Sequence, residues 1–240
     1  MNRILILLII GLISFSCRKT RDSDTINQDK IHCIYKVDYN SKDTQTELRV
    51  VFSVEKSDGR KIRLSEGSNI SANGLIMNFD EIDRLYTLNL SGKIDTLIFE
   101  WKDLDSEIYV NQVILPELID YPILSSPIFI NPDDIYLDTL PFYLIWLGNS
   151  VQNSLESIRL LVNGGEKKPA FSRMPYEGYT LVQDSLSAEG ITLTKPENNR
   201  YEYYKIELIR MQKLPLQTST EAGGHIETVY SAGIKNVIVK

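Results

Sequence analysis

Apolar and polar residues alternate along much of the first half of the chain. Leu48, Val50, Phe52 and Val54 share one parity, while Glu47, Arg49, Ser53 and Glu55 share the other. That two-residue period is the mark of a half-buried β-strand. Leu97, Phe99 and Trp101 repeat it against Thr96, Glu100 and Lys102. Cys33–Tyr39, Lys61–Leu64, Tyr86–Leu90 and Glu107–Leu115 supply further strands. The turn-forming runs Ser57-Asp58-Gly59 and Asn73-Gly74 separate them. Asp80–Leu85 is the one helical candidate, a single turn linking strands. Six or seven short strands within residues 31–117 predict a β-sandwich.

Proline marks a boundary. None precedes Pro116, and Pro122, Pro127, Pro132 and Pro141 then follow in quick succession. Proline is kept out of central strands and gathers at edges and linkers. The pattern therefore divides the chain into a first sandwich at 31–117, a linker at 118–122 and a second sandwich at 123–240. In the second segment, Ser126–Pro132 reads as a proline-broken edge strand and Phe142–Trp146 as a strand with a buried Trp. Tyr201–Arg210 reads as a long Tyr-led strand, and Asn236–Lys240 closes the sheet. This series resembles a fibronectin-type-III or immunoglobulin-like module. The resemblance implies an all-β fold of two such sandwiches in tandem and says nothing about function.

The start of the chain carries a different signal. Met1-Asn2-Arg3 is followed by an apolar stretch from Ile4 to Ile13 and then by Ser14-Phe15-Ser16-Cys17. A basic start, a short apolar segment and small residues describe a secretory signal peptide over residues 1–16. The apolar stretch is about half of the roughly 20 residues a membrane-spanning helix needs. Cys17 directly after it, with Ser16 before it, resembles the lipobox of bacterial lipoproteins, in the relaxed form common among Bacteroidota. Ser14 stands where that motif usually has Leu. The resemblance implies lipidation of Cys17, anchorage to the membrane and, with Arg18 next in the chain, residence in the outer membrane. The polar run from Arg18 to Lys30 has little to bury, so 17–30 is expected to be a lipidated, flexible tether. Such a coil reaches roughly 20 Å.

Composition narrows the chemistry. The net charge is −6 over 240 residues, with two His and two Cys. An acidic chain lacks the basic footprint of a nucleic-acid binder, and so few His and Cys leave little for zinc or iron–sulfur ligation. No cofactor is implied. With Cys17 lipidated, Cys33 is left as a lone thiol, and its alternation with Tyr35 and Val37 makes it a buried hydrophobe. His32, on the opposite parity, points to the other face. No Gly-x-Ser-x-Gly nucleophile elbow is present.

Weaker candidates remain. Asp103, Asp105 and Glu107 alternate as oxygen ligands of a hard cation can, or form an acidic hairpin turn. Tyr201, Tyr203 and Tyr204, with Tyr176 and Tyr179, could stack on a sugar or pair across strands. Thr25, Thr96, Thr139 and Ser185 lie in Asp-Thr/Ser-apolar tripeptides that resemble the Bacteroidota O-glycosylation sequon. The doublets Gly164-Gly165 and Gly223-Gly224 read as turns. The expected function is a non-enzymatic binding or scaffold lipoprotein on the extracytoplasmic side, with a protein or glycan partner. The alternatives are an accessory glycan binder of a nutrient-uptake system and a carboxylate- or metal-dependent hydrolase.

Overall fold

A computed structural model describes residues 20–120, 134–137, 154–163, 176–181 and 202–239. The protein is all-β and sandwich-like. Its strands are β1 (Arg21–Asp22), β2 (Ile31–Asn40), β3 (Gln45–Val54), β4 (Ile62–Arg63), β5 (Asn69–Ala72), β6 (Leu75–Ile76), β7 (Asn78–Asp80) and β8 (Leu85–Ser91). They continue as β9 (Thr96–Lys102), β10 (Ile108–Ile114), β11 (Asp134–Leu137), β12 (Glu156–Asn163), β13 (Tyr176–Leu181), β14 (Glu202–Pro215) and β15 (Gly224–Val239). The larger sheet runs β13-β12-β14-β15-β2-β3-β8-β7, with β11 also paired to β15. The smaller runs β10-β9-β5-β6, and β1 pairs with β4 beside them.

The alternation seen in the sequence becomes the core. Cys33, Tyr35 and Val37 of β2 and Leu48, Val50 and Phe52 of β3 are buried on one side of the larger sheet. Leu97, Phe99 and Trp101 of β9 face them from the smaller sheet. The rings interlock: Tyr35 lies 4.6 Å from Phe99, Phe52 lies 4.9 Å from Trp101, and Tyr109 stacks on Trp101 at 4.7 Å. Pairs at such separations contribute about 0.5–1.5 kcal/mol each beyond the area they bury. Asn73 and Gly74 both adopt positive φ in the two-residue β5–β6 turn, as an Asn-Gly hairpin requires. Asp80–Leu85 is a single turn, closed by Arg84 N–H donating to the Asp80 carbonyl and capped by the Asp80 carboxylate.

The larger sheet runs across the expected boundary at 118–122. β15 pairs in parallel with β2, from Gly224 beside Cys33 to Ser231 beside Asn40, and antiparallel with β14 along its length. Ile226 and, in part, Leu214 and Leu216 pack into the same core as β2 and β3. Residues from the last part of the chain therefore complete the sheet begun by β2. Ser126–Pro132 and Phe142–Trp146 lie outside the described residues.

Several contacts hold this join. Gly223 takes a left-handed φ of 67°, and its carbonyl accepts from Cys33 N–H. A Cβ on Gly224 would sit 1.8 Å from the Cys33 carbonyl oxygen, so the strands approach this closely only at glycine. Farther along, the fully buried Asn111 of β10 accepts from the N–H groups of Gln217 and Thr218 and donates to the Thr218 carbonyl. Gln217 answers with its own side chain, accepting from Gln112 N–H at 2.6 Å and donating to the Gln112 carbonyl at 2.9 Å. The side-chain amide thus pairs the exposed edge of β10 as a neighbouring strand would.

The expected tether is corrected over residues 20–30. Arg21–Asp22 pairs with Ile62–Arg63, and short 3-10 turns follow at Ser23–Thr25 and Gln28–Lys30. Ser23 is fully buried, accepting from Ser65 N–H, and the buried Gln28 amide donates to the Ser23 and Ile26 carbonyls. Ile26 packs against the core. Polar side chains, satisfied one by one, order a segment whose composition has little to bury.

Asn111→Ala removes one donor and one doubly used acceptor from a buried position. It should lower unfolding free energy by about 2–3 kcal/mol. Urea denaturation read by tryptophan fluorescence measures this, and the same experiment on Gln112→Ala, an exposed neighbour, should show a much smaller loss.

Candidate functional site

The side of the larger sheet away from the core is polar and divides into two electrostatic regions. At the start of β2, register brings together residues from distant parts of the chain. His32 lies opposite Ser53, which bridges to Lys61. Two residues on, Ile34 lies beside His225, and two further on Lys36 sits between Arg49 and Glu227. Lys213 of β14 lies opposite Glu227. The protein's two histidines thus meet, with ring centroids 6.4 Å apart in an edge-on arrangement.

Glu227 is the acceptor at the centre of this group. It lies 2.9 Å from Lys36 Nζ, 2.8 Å from His225 Nε2 and 3.9 Å from Lys213 Nζ. Burial works to raise its pKa, but the hydrogen bonds from Lys36 and His225 outweigh it and hold the carboxyl below the usual range. Lys61 forms no ion pair among the described residues, and its pKa is lowered by burial and by the nearby Lys36 ammonium. The His32 pKa is also lowered, by burial first, then by His225 and Lys61. Its Nδ1 is buried without a hydrogen-bond partner.

At the far end of β2 the charge reverses. A shallow depression of about 430 Å³ is lined by Asp38, Asp43, Glu47 and Glu207, together with Gln45 and Asn89. Three of these carboxylates have partners: Arg49 bonds Asp38 and lies 3.8 Å from Glu47, and the Ser231 hydroxyl donates to Glu207 at 2.6 Å. Among the described residues, no group of three or more His, Cys, Asp or Glu is arranged to hold a metal ion.

The candidates from the sequence fare differently. Asp103, Asp105 and Glu107 do not converge. Asp103 is buried and turns one carboxylate oxygen to Glu107 N–H at 2.9 Å and the other to the Tyr109 hydroxyl, while Asp105 and Glu107 are exposed. The trio forms the β9–β10 hairpin turn, with Ser106 at positive φ. Burial, helped by the Asp103 carboxylate, pushes the Tyr109 hydroxyl up to about 12. Cys33 is a free, buried thiol, its pKa raised by burial.

Tyr203 and Tyr204 lie in β14, in register with Ile238 and Val237, and Tyr176 and Tyr179 lie in β13. Tyr201 lies outside the described residues, as do Cys17, Thr139 and Ser185. Thr25 and Thr96 are exposed, and the Thr25 hydroxyl donates to the Asp22 carbonyl. Sequence reasoning missed the His32–His225 meeting, because nothing local links residues at opposite ends of a chain. It also missed the buried ion pair of Arg210 and Glu156, whose Nε and Oε1 lie 2.6 Å apart with both side chains 2% exposed. Arg210 shares its parity with Leu208 and Leu214, and an arginine on the apolar side of a strand was the available signal.

Comparison with known proteins finds no match. No family model fits the sequence, and no curated protein and no solved structure is similar to the chain. Glu227 and Asp38 are held in ion pairs on an open face, and among the described residues no hydroxyl or thiol is hydrogen-bonded to either histidine.

The lowered pKa of His32 fixes the sign of a pH effect. As pH falls below the ordinary value of 6.5, the unfolded chain takes up the proton before the folded protein does. Stability is therefore unaffected by His32 above that pH and declines below it, until the folded-state histidine also protonates. Melting temperature should fall as pH drops from about 6.5 to about 5.5, and His32→Gln should flatten that slope. An unchanged slope in the variant would show that other groups govern the window.

Proposed function

We propose that this protein is a lipid-anchored binding or scaffold module of the outer membrane, facing the extracytoplasmic space, built on immunoglobulin-like or fibronectin-type-III-like sandwich architecture. One observation carries the reading. The open face of the larger sheet presents opposed charges in partnered form, with Glu227 held by Lys36 and Asp38 by Arg49. Groups neutralised in this way suit electrostatic recognition, which sets specificity and encounter rate. Proton transfer would call for a positioned base beside a nucleophile.

The Ser14-Phe15-Ser16-Cys17 sequence after an apolar segment supports anchoring. Several acyl chains on Cys17 would give stable attachment, whereas a single chain gives only marginal binding. Cys17→Ser should move the protein from the membrane pellet to the soluble or secreted fraction, read by fractionation and immunoblot. Equal partitioning of wild type and variant would overturn the anchor.

A further inference from the structure

The cationic end of the outer sheet face lies beside the point where the described chain begins. Arg21 N–H donates to the Lys61 carbonyl at 3.0 Å, so the start of β1 is stapled to Lys61 at the edge of β4. Only four peptide units separate Arg21 from Cys17, and a fully extended chain of that length spans about 14 Å at most. Arg18 and Lys19 fall within those units. If Cys17 bears lipid, as proposed above, Lys61 cannot stand far from the headgroup layer.

The composition of the cluster indicates what it would meet there. Lys36, Lys213 and His225 share one carboxylate, Glu227, while Lys61 stands near them with no ion pair among the described residues. The protein as a whole carries a net charge of −6, so this local excess of cations runs against the general balance. Burial first, and then repulsion from the neighbouring Lys36 charge, disfavours the Lys61 ammonium. A bound anion would relieve that repulsion. The lysines are accessible, with Lys36 40% and Lys213 66% exposed.

We infer that the Lys36–Lys61–His32 cluster is a docking surface for the phosphate of anionic lipid headgroups, which seats the domain directly on the membrane from which it is anchored. The surface rests on the lipid-anchor reading for its position and on charge complementarity for its occupant. It sets the β2–β3 hairpin end of the sheet, where the carboxylates of the depression lie, away from the lipid.

The test uses the protein purified from its membrane fraction and reconstituted into vesicles. One set is zwitterionic phosphatidylcholine, and the other contains about 30% phosphatidylglycerol. A water-soluble acetylating ester then labels lysines, and mass spectrometry compares Lys36 and Lys61 with Lys42, which lies at the opposite end of β2 beside Ile234. On anionic vesicles, labelling of Lys36 and Lys61 relative to Lys42 should fall about fivefold, the factor one basic side chain contributes at an anionic surface. About 0.5 M salt should restore it, and zwitterionic vesicles should give no protection.

Equal ratios on both vesicles, with the protein bound to each, would overturn the docking surface and leave the anchor intact. Association with neither vesicle would overturn both. Protection by inorganic phosphate in detergent, equal to that on anionic vesicles, would reassign the cluster to free phosphate and overturn the lipid assignment.

Discussion

Parallel pairing of β15 with β2 joins residues from the two ends of the chain, and most of the structure follows from it. A parallel neighbour cannot be reached by a tight turn, so the chain must travel out and return before the pairing closes. Closure depends on backbone contact: the Cys33 carbonyl lies where a Cβ at position 224 would stand. With glycine there, Ile226 enters the core beside Tyr35, and the aromatic cluster around Trp101 is covered. The β14–β15 loop then reaches β10 through Asn111, tying the smaller sheet to the larger through side-chain amides. Ordering contacts so distant in sequence carries a high loop-closure cost, which suits late formation of this join in folding.

The same pairing creates the electrostatics of the outer face. β2 alone carries His32, Lys36 and Asp38 along one side, a mixed row with no evident purpose. When β15 arrives, Glu227 is placed against Lys36, and His225 is placed near His32. A gradient from cationic to anionic then runs along the sheet, set by strand register. Because register has a period of two, a slip by one residue would exchange this charged row for the buried Cys33–Tyr35–Val37 row. The core therefore specifies the surface pattern.

Strands with strict alternation were legible in the sequence: β2, β3, β8, β9 and β10 all coincide with the runs that carried it. The two- to four-residue strands β5, β6 and β7 are too short for a period to register. Residues 20–30 were misread because Ser23 and Gln28 are buried by hydrogen bonding, which leaves no hydrophobic trace. The acidic trio at 103–107 was legible as a choice between cation ligation and a turn, and the direction of the Asp103 side chain resolves it toward a turn. The histidine cluster lay beyond reading, since its members share only a sheet register that pairs the chain's beginning with its end.

Gln217 gives the smaller sheet a property that its sequence would not suggest. Among the described residues β10 is an edge strand with Ile108, Val110 and Ile114 exposed along it, a combination that invites another molecule to add a strand and continue the sheet. The Gln217 amide occupies the hydrogen-bonding groups of Gln112 at the middle of that edge, and the Thr218 hydroxyl takes the carbonyl of Val110. An incoming strand would find its ladder already interrupted at the centre. The loop that fastens the two sheets together is thereby also a stopper on one of them, taking up the backbone groups at the middle of its apolar edge.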